Sequence, residues 1–571
     1  MFLIFTSVFS IKTFYPIYTA KEVIITYGIH PFDICSKNPE LWNLIKITYI
    51  ITFIISNIVI ANFIFLRIIC PIFNTFKKIL SKPQKIIYHS KNFKNKNNSN
   101  LKKKTLNLLI GQDLEDNSNI IIPESGLYQN FLITGTIGSG KTSSAMYPFT
   151  RQLLKYNSLN PNSKIGMLIL DVKGNYYNQV KKYVEDYNLS SDFIVIGLHS
   201  NVFYNPLHKP NLKPQVLANR LKTILLLFSE NNTESYWLDK AEEVLCECIK
   251  LCRLYNNGYV TFTELHKLIT IPNYYKEKIE VLRNLFISAK FNSQQIYELN
   301  SSLDFFEKEF QNLDSRTKGI LISEITRITN TFVSDYDVMN TFCSPKHKLT
   351  FTGFDEVLNS GKIVVLNMNI LEYNMLSKII ATYLKLDFQT EVMTHLANNN
   401  IHTSAFICDE YDKFASKTDT EFFSLSREAK CINIVSTQSY SSLRTTLKDD
   451  ATVKVIIQNL VNKIWFRTDD TFTIEEAQKQ LGKEDKEKIS KSISESAKET
   501  NFSYITNTLN SQNSNISETF STYMQNDFIF ESNFFTRNLE TFTALTFLSD
   551  GNKIFPPKKL KMFPHFKNNA L

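Results

Sequence analysis

The residue types best suited to chemistry begin at Gly135. Gly135-Thr136-Ile137-Gly138-Ser139-Gly140-Lys141-Thr142 reads G-x-x-x-x-G-K-T, the spacing of a phosphate-binding loop. The glycines permit a turn tight enough to point successive N–H groups at a phosphate chain. Lys141 supplies a point charge for the β and γ phosphates, and the Thr142 hydroxyl can hold Mg²⁺. A helix starting here offers its positive end to the same anion.

A second constellation lies far along the chain. Asp409-Glu410 closes the apolar run 404–408. A carboxylate at a strand tip can hold Mg²⁺ through water, which places Asp409 on the metal side with Thr142. The next carboxylate, Glu410, can orient and deprotonate the attacking water. Gln438 ends the following run, 431–437, where a neutral amide can sense the γ-phosphate or the water. Arg427 lies in a helical stretch before that run. A second cation at a γ-phosphate stabilises the transition state, and a neighbouring subunit in a ring often supplies it. Asp171 and Lys173 end another run and read equally as a local salt bridge or as phosphate or metal contacts. The eight cysteines include no C-x-x-C pair. Cys246, Cys248 and Cys252 are close in sequence, and helix packing is preferred there over a metal site.

A parallel α/β sheet is the framework that can bring such residues together. Residues 128–134 make an apolar run of strand length before the loop. Residues 143–156 can form the helix after it, with Pro148 expected to kink it. Further strand-length runs are 165–170, 193–197, 361–368, 404–408, 431–437, 462–467 and 541–548. Separated by helical stretches, they predict a sheet with ligands at its carboxyl ends. From about 212 to 345 strand signals nearly vanish. Leu238, Ala241, Leu245, Cys248 and Cys252 form one helical stripe, and Ile320, Ile325 and Ile328 belong to another. Two separated lengths of chain therefore build the sheet, with an all-helical insertion between them. Trp237 heads the insertion's first long helix, for the core or for a functional surface. Residues 483–526, rich in Ser, Asn, Glu and Lys, predict a mobile surface excursion.

The chain has 571 residues, enough for two to four domains, and is 43% hydrophobic and 21% charged, as a folded protein is. Residues 47–66 carry no charge and are long enough to cross a bilayer. Much of the net charge of +9 sits in lysines from Lys77 to Lys104, just beyond that run. The positive-inside rule puts everything after Arg67 in the cytoplasm, and the basic block favours lipid head groups before nucleic acid. The weaker run 1–20 gives either two spans with an external loop near 21–43, or one span with an external N-terminus. Residues 92–106 read as a linker. The cysteine usage fits a reducing cytosol.

Together these residues resemble the coupling-protein family of type IV secretion and conjugation, the TraG/TraD-like ATPases. The resemblance rests on Gly135 to Thr142 with Pro148 downstream, Asp171-Val172-Lys173-Gly174, Asn205-Pro206-Leu207, Trp237 with Ala241, Asp409-Glu410, Arg427, Ser436-Thr437-Gln438-Ser439 and residues 462–469. It implies a RecA-like P-loop core that hydrolyses ATP with Mg²⁺ and an all-α domain facing the cytoplasm. It also implies a homo-hexameric ring at the inner side of a bacterial membrane. Such a ring would deliver DNA, a relaxase-bound strand or protein to a secretion channel. Arg427 becomes a finger acting on a neighbour, and Gln438 a coupling residue. The expected organisation is a transmembrane anchor at 1–75, the RecA-like domain at 76–210 and 349–571, and the inserted all-α domain at 211–348. Many relatives read Asp-Pro-Lys-Gly-Glu, so Asn175 removes any role for the final acid. Two alternatives remain. DNA pumps of the FtsK/HerA type share the core, but the short stretch after Pro556-Pro557-Lys558 leaves no room for their winged-helix reader. A receptor that binds nucleotide without turnover is disfavoured by intact Lys141, Asp409 and Glu410.

Overall fold

A computed structural model of the protein describes residues 105–566, apart from Val172, 229–234, 289–291, 497–501, 504–507 and 510–514, together with Ile47. The expected anchor at 1–75, with its span 47–66, lies outside the described residues but for Ile47. Among those described, no helix is long and apolar enough to cross a membrane.

Among the described residues fifteen strands occur in chain order: β1 (Asn107–Asp113), β2 (Asn119–Pro123), β3 (Phe131–Thr134), β4 (Gly166–Leu170), β5 (Phe193–Ile196), β6 (Ile363–Leu366), β7 (Ser404–Cys408), β8 (Cys431–Thr437), β9 (Asn462–Trp465), β10 (Lys483–Ser496), β11 (Phe502–Ser503), β12 (Thr508–Leu509), β13 (Asn515–Phe528), β14 (Thr543–Phe547) and β15 (Lys558–Lys561). Eleven of them form one sheet in the order β2-β1-β15-β14-β9-β3-β8-β7-β4-β6-β5. The seven from β9 to β5 run parallel. The other four extend the sheet antiparallel beyond β9. Strands β3, β4, β6, β7 and β8 are buried along their whole length, so they read as continuous apolar runs. One face packs on the helices Tyr147–Leu159 and Asn175–Asp186 through Phe149, Leu153, Val180 and Tyr183. The other packs on Ile370–Ala397 and Asp450–Asn459 through Ile380, Leu384, Val453 and Ile456.

Between β5 and β6 the described residues form helices and no strand, from Pro214–Phe228 to Tyr336–Phe342. The expected stripe Leu238, Ala241, Leu245, Cys248 and Cys252 is buried, in the same apolar cluster as Leu168 and Val364 of the sheet. The insertion thus shares its core with the sheet. Trp237 is half-buried against that cluster, and the three cysteines are buried free thiols. Burial pushes the Cys246 thiol up to about 11 and the Cys252 thiol to about 12.

Two expectations take a more specific form in the structure. Pro148 falls inside the loop helix, as expected, at a place where the helical bonding changes. The loop helix opens with a wide π turn, Thr142–Met146, and its α-helical part, Tyr147–Leu159, begins just before Pro148. At that position a missing N–H disrupts little. The surface excursion expected at 483–526 has regular structure where its residues are described. β10 pairs with β13 in antiparallel register from Lys483–Phe528 to Ser496–Asn515. Alternating Ser, Thr and Ile suit a strand, and Lys488–Asp527 and Lys491–Glu518 join the two sides. The low apolar content reflects a ribbon that stands off the core, with Ile489, Phe520 and Met524 exposed.

Candidate nucleotide site

The loop leaves the carboxyl end of β3 and enters its helix at Lys141. Gly138 and Gly140 adopt left-handed backbone, at φ 77° and 102°, which favours glycine. A Cβ on Gly140 would also lie 2.6 Å from the Phe542 ring. The loop is pinned from its neighbours. Thr136 N–H donates to the Arg467 carbonyl at 2.8 Å, and Ser139 Oγ to the Thr136 carbonyl at 2.8 Å. Lys141 is buried, and its Nζ donates to the carbonyls of Gly135 and Thr136. Burial lowers its pKa, while the charges of Asp409 and Glu410 oppose that shift.

Strand β7 delivers its two acids to this loop. Thr142 Oγ1 donates to Asp409 Oδ2 at 2.7 Å. The other oxygen, Oδ1, accepts from the Ser436 hydroxyl and from the Glu410 N–H at 3.1 Å. A hydroxyl and a carboxylate in contact are hard oxygen donors and fit Mg²⁺. Glu410 sits at φ 52°, a conformation that costs a residue with a Cβ and persists where neighbours enforce it. Its Oε1 meets Lys173 Nζ at 2.5 Å, a hydrogen bond that raises the pKa of Lys173. Asp171 accepts from the backbone N–H groups of Lys173 and Tyr176, at 3.0 and 3.1 Å. Asp171 thus shapes the turn, and burial raises the pKa of its carboxyl.

The turn after Glu410 is braced from behind. Asp419 accepts from Tyr411 Oη at 2.5 Å, Lys385 Nζ at 2.7 Å and Gln389 Nε2 at 2.9 Å, and Lys385 and Asp419 are both fully buried. Gln438 follows β8, half-buried, next to the loop because Thr437 pairs with Thr134. Arg427 is placed elsewhere. It lies in a turn after the helix Asp419–Leu425 rather than within a helix, it is exposed, and its Nη2 donates to the Gly551 carbonyl at 3.2 Å. It precedes β8, so it sits at the end of the sheet opposite the loop. The structure therefore brings Gly135 to Thr142, Asp409, Glu410 and Gln438 together and leaves Arg427 apart. Sequence reasoning did not single out the Ser436–Asp409 bond, the Lys173–Glu410 pair or the wedge of Phe542 against Gly140. Strand runs ending in polar residues hint at the first. The last two depend on strand order.

Residues 403–525 match the family model described as the TraM recognition site of TraD and TraG. Three solved structures are similar over most of their length. The unbound monoclinic form of the bacterial conjugative coupling protein TrwBdeltaN70 has a TM-score of 0.51 at 14% identity, covering 78% of this chain and 87% of that one. The plasmid coupling protein TrwB with the GTP analogue GDPNP has a TM-score of 0.51 at 13% identity, covering 77% and 87%. TrwB with ADP and Mg²⁺ has a TM-score of 0.51 at 14% identity, covering 77% and 87%. No curated protein matches the chain by sequence. Low identity limits the structural likeness to the fold, a mixed α/β core around a large parallel sheet. With the family match, it supports the resemblance to type IV coupling proteins read from the motifs.

Proposed function

We propose that this chain is a membrane-anchored ATPase of the type IV coupling kind. It would couple hydrolysis to moving DNA, a relaxase–DNA complex or a protein substrate into a secretion channel. The observation that carries this reading is the 2.7 Å bond between Thr142 and Asp409, which joins the phosphate loop to an acidic strand tip 267 residues away. Lys141 exchanges the Gly135 and Thr136 carbonyls for β- and γ-phosphate oxygens. Thr142 and Asp409 would hold Mg²⁺, which would supply positive charge beside those phosphates. Glu410 takes the proton of the attacking water. Lys173 holds Oε1 of Glu410, and the other oxygen, Oε2, is the one offered to that proton. Gln438 senses the γ-phosphate from the next strand. Arg427, exposed and remote from its own loop, suits a neighbour's site, so the working form is a homo-hexameric ring at the bacterial cytoplasmic membrane. Residues 1–75 anchor it, 76–210 and 349–571 make the motor core, and 211–348 form the helical insertion. Substrate DNA held through phosphates makes activity fall steeply with salt.

ATP turnover by the full-length protein, with and without single-stranded DNA, tests the motor. Turnover stimulated by DNA is expected. Lys141→Ala loses ATP binding. Glu410→Gln keeps binding and loses about 10²-fold or more in kcat. Wild-type turnover no greater than that of Glu410→Gln overturns the motor and favours the receptor.

A further inference from the structure

The phosphate loop has two flanks. On the β8–β7 side stand Asp409, Glu410 and Gln438, which face the metal and the γ-phosphate. A triphosphate held that way round sends its nucleoside off the other flank, toward β9 and β14. That flank carries a cluster of rings. Phe542 precedes β14 in left-handed backbone, at φ 64°, and its N–H donates to the Ser139 carbonyl at 3.2 Å. Its carbonyl accepts from Met562 N–H at 2.8 Å, which draws the segment after β15 onto the loop. Three residues on, His565 N–H donates to the Ser143 carbonyl at 2.9 Å. The His565 ring meets Tyr147 edge-on at 5.0 Å, and Phe566 meets Phe542 edge-on at 5.8 Å. Phe566 is 56% exposed, so it has a face to offer.

We infer that Phe542, His565 and Phe566 form a slot that stacks the base of the bound nucleoside triphosphate. This rests on the nucleotide reading of the loop and adds the base to it. Every nucleobase has a π face, so ring stacking supplies affinity without reading base edges. The segment after β15 thereby takes part in the site, although it lies more than 400 residues from the loop.

Calorimetric titration of the full-length protein with two Mg²⁺-loaded probes, ATP and inorganic tripolyphosphate, separates the two parts. The wild type is expected to bind ATP at least about tenfold more tightly than tripolyphosphate. Phe566→Ala should weaken ATP by about tenfold, toward the low end of the range for one stacked base, and leave tripolyphosphate unchanged. Phe566→Tyr should restore ATP binding. The exposed side chain makes these variants safe for the fold. Unchanged ATP affinity in Phe566→Ala, or equal losses for both probes, overturns the slot while the phosphate site stands. A wild type that binds neither probe overturns both.

Discussion

Lys463 lies on β9, one strand from the loop, with its ammonium buried and donating to the Leu460 carbonyl. Burial pulls its pKa from 10.5 down to about 7. In the unfolded chain it returns to its ordinary value. Between about pH 7 and 10.5 the unfolded state therefore binds one more proton than the native state. Its contribution to stability rises with pH across that window, and the penalty is fully felt below 7. Lys463→Met removes the penalty. The variant is expected to melt above the wild type at pH 7, with the gap closing toward pH 10, as Tm values across that range will report. A gap that does not change with pH would count against it. This lysine gave no signal in the sequence, because a buried cation on a strand looks like a surface one until the next sheet layer is known. Lys141, Thr142, Asp409 and Glu410 were legible because their chemistry is written in type and spacing. Ser436 and Phe542 were not, since each gains its meaning from a strand or a turn brought alongside by the fold.

At the level of elements, the long helix Ile370–Ala397 does more than cover the sheet. Lys385 on that helix donates to the Phe414 carbonyl at 2.6 Å, to Ser416 Oγ at 2.8 Å and to Asp419. It thereby fixes the turn that carries Glu410. Lys385→Met leaves the Asp419 charge buried without its partner and should cost about 3–5 kcal/mol, measured by urea unfolding. Replacing both, as Lys385→Met with Asp419→Leu, should regain part of that loss. The strands of the parallel sheet were legible because burial on both faces leaves apolar runs that end in polar tips. The β10–β13 ribbon was not. Its stability comes from pairing across two strands, which a search for apolar anchors misses. The π turn after Thr142 was equally hidden, because a proline marks where α-helical bonding fails and not what replaces it.

For the whole molecule, the position of Arg427 separates two kinds of ring. If it completes a neighbour's site, rings of Arg427→Ala subunits and rings of Lys141→Ala subunits should both be inactive, and mixed rings should recover turnover. No recovery at any ratio would count against a finger acting across subunits. The helical insertion was legible as helical from residue spacing. That its apolar stripe would join the core under the sheet was not, because spacing defines a face and not the partner of that face. The strand order carries one more consequence. β3 lies between β8 and β9, both made some 300 residues later. At roughly 5–20 residues per second, a ribosome needs about a quarter of a minute to a minute to supply them. Until then the strand beneath the loop has two bare edges. A nascent chain stalled before residue 431 holds every atom of the loop and neither of the neighbours that give it shape.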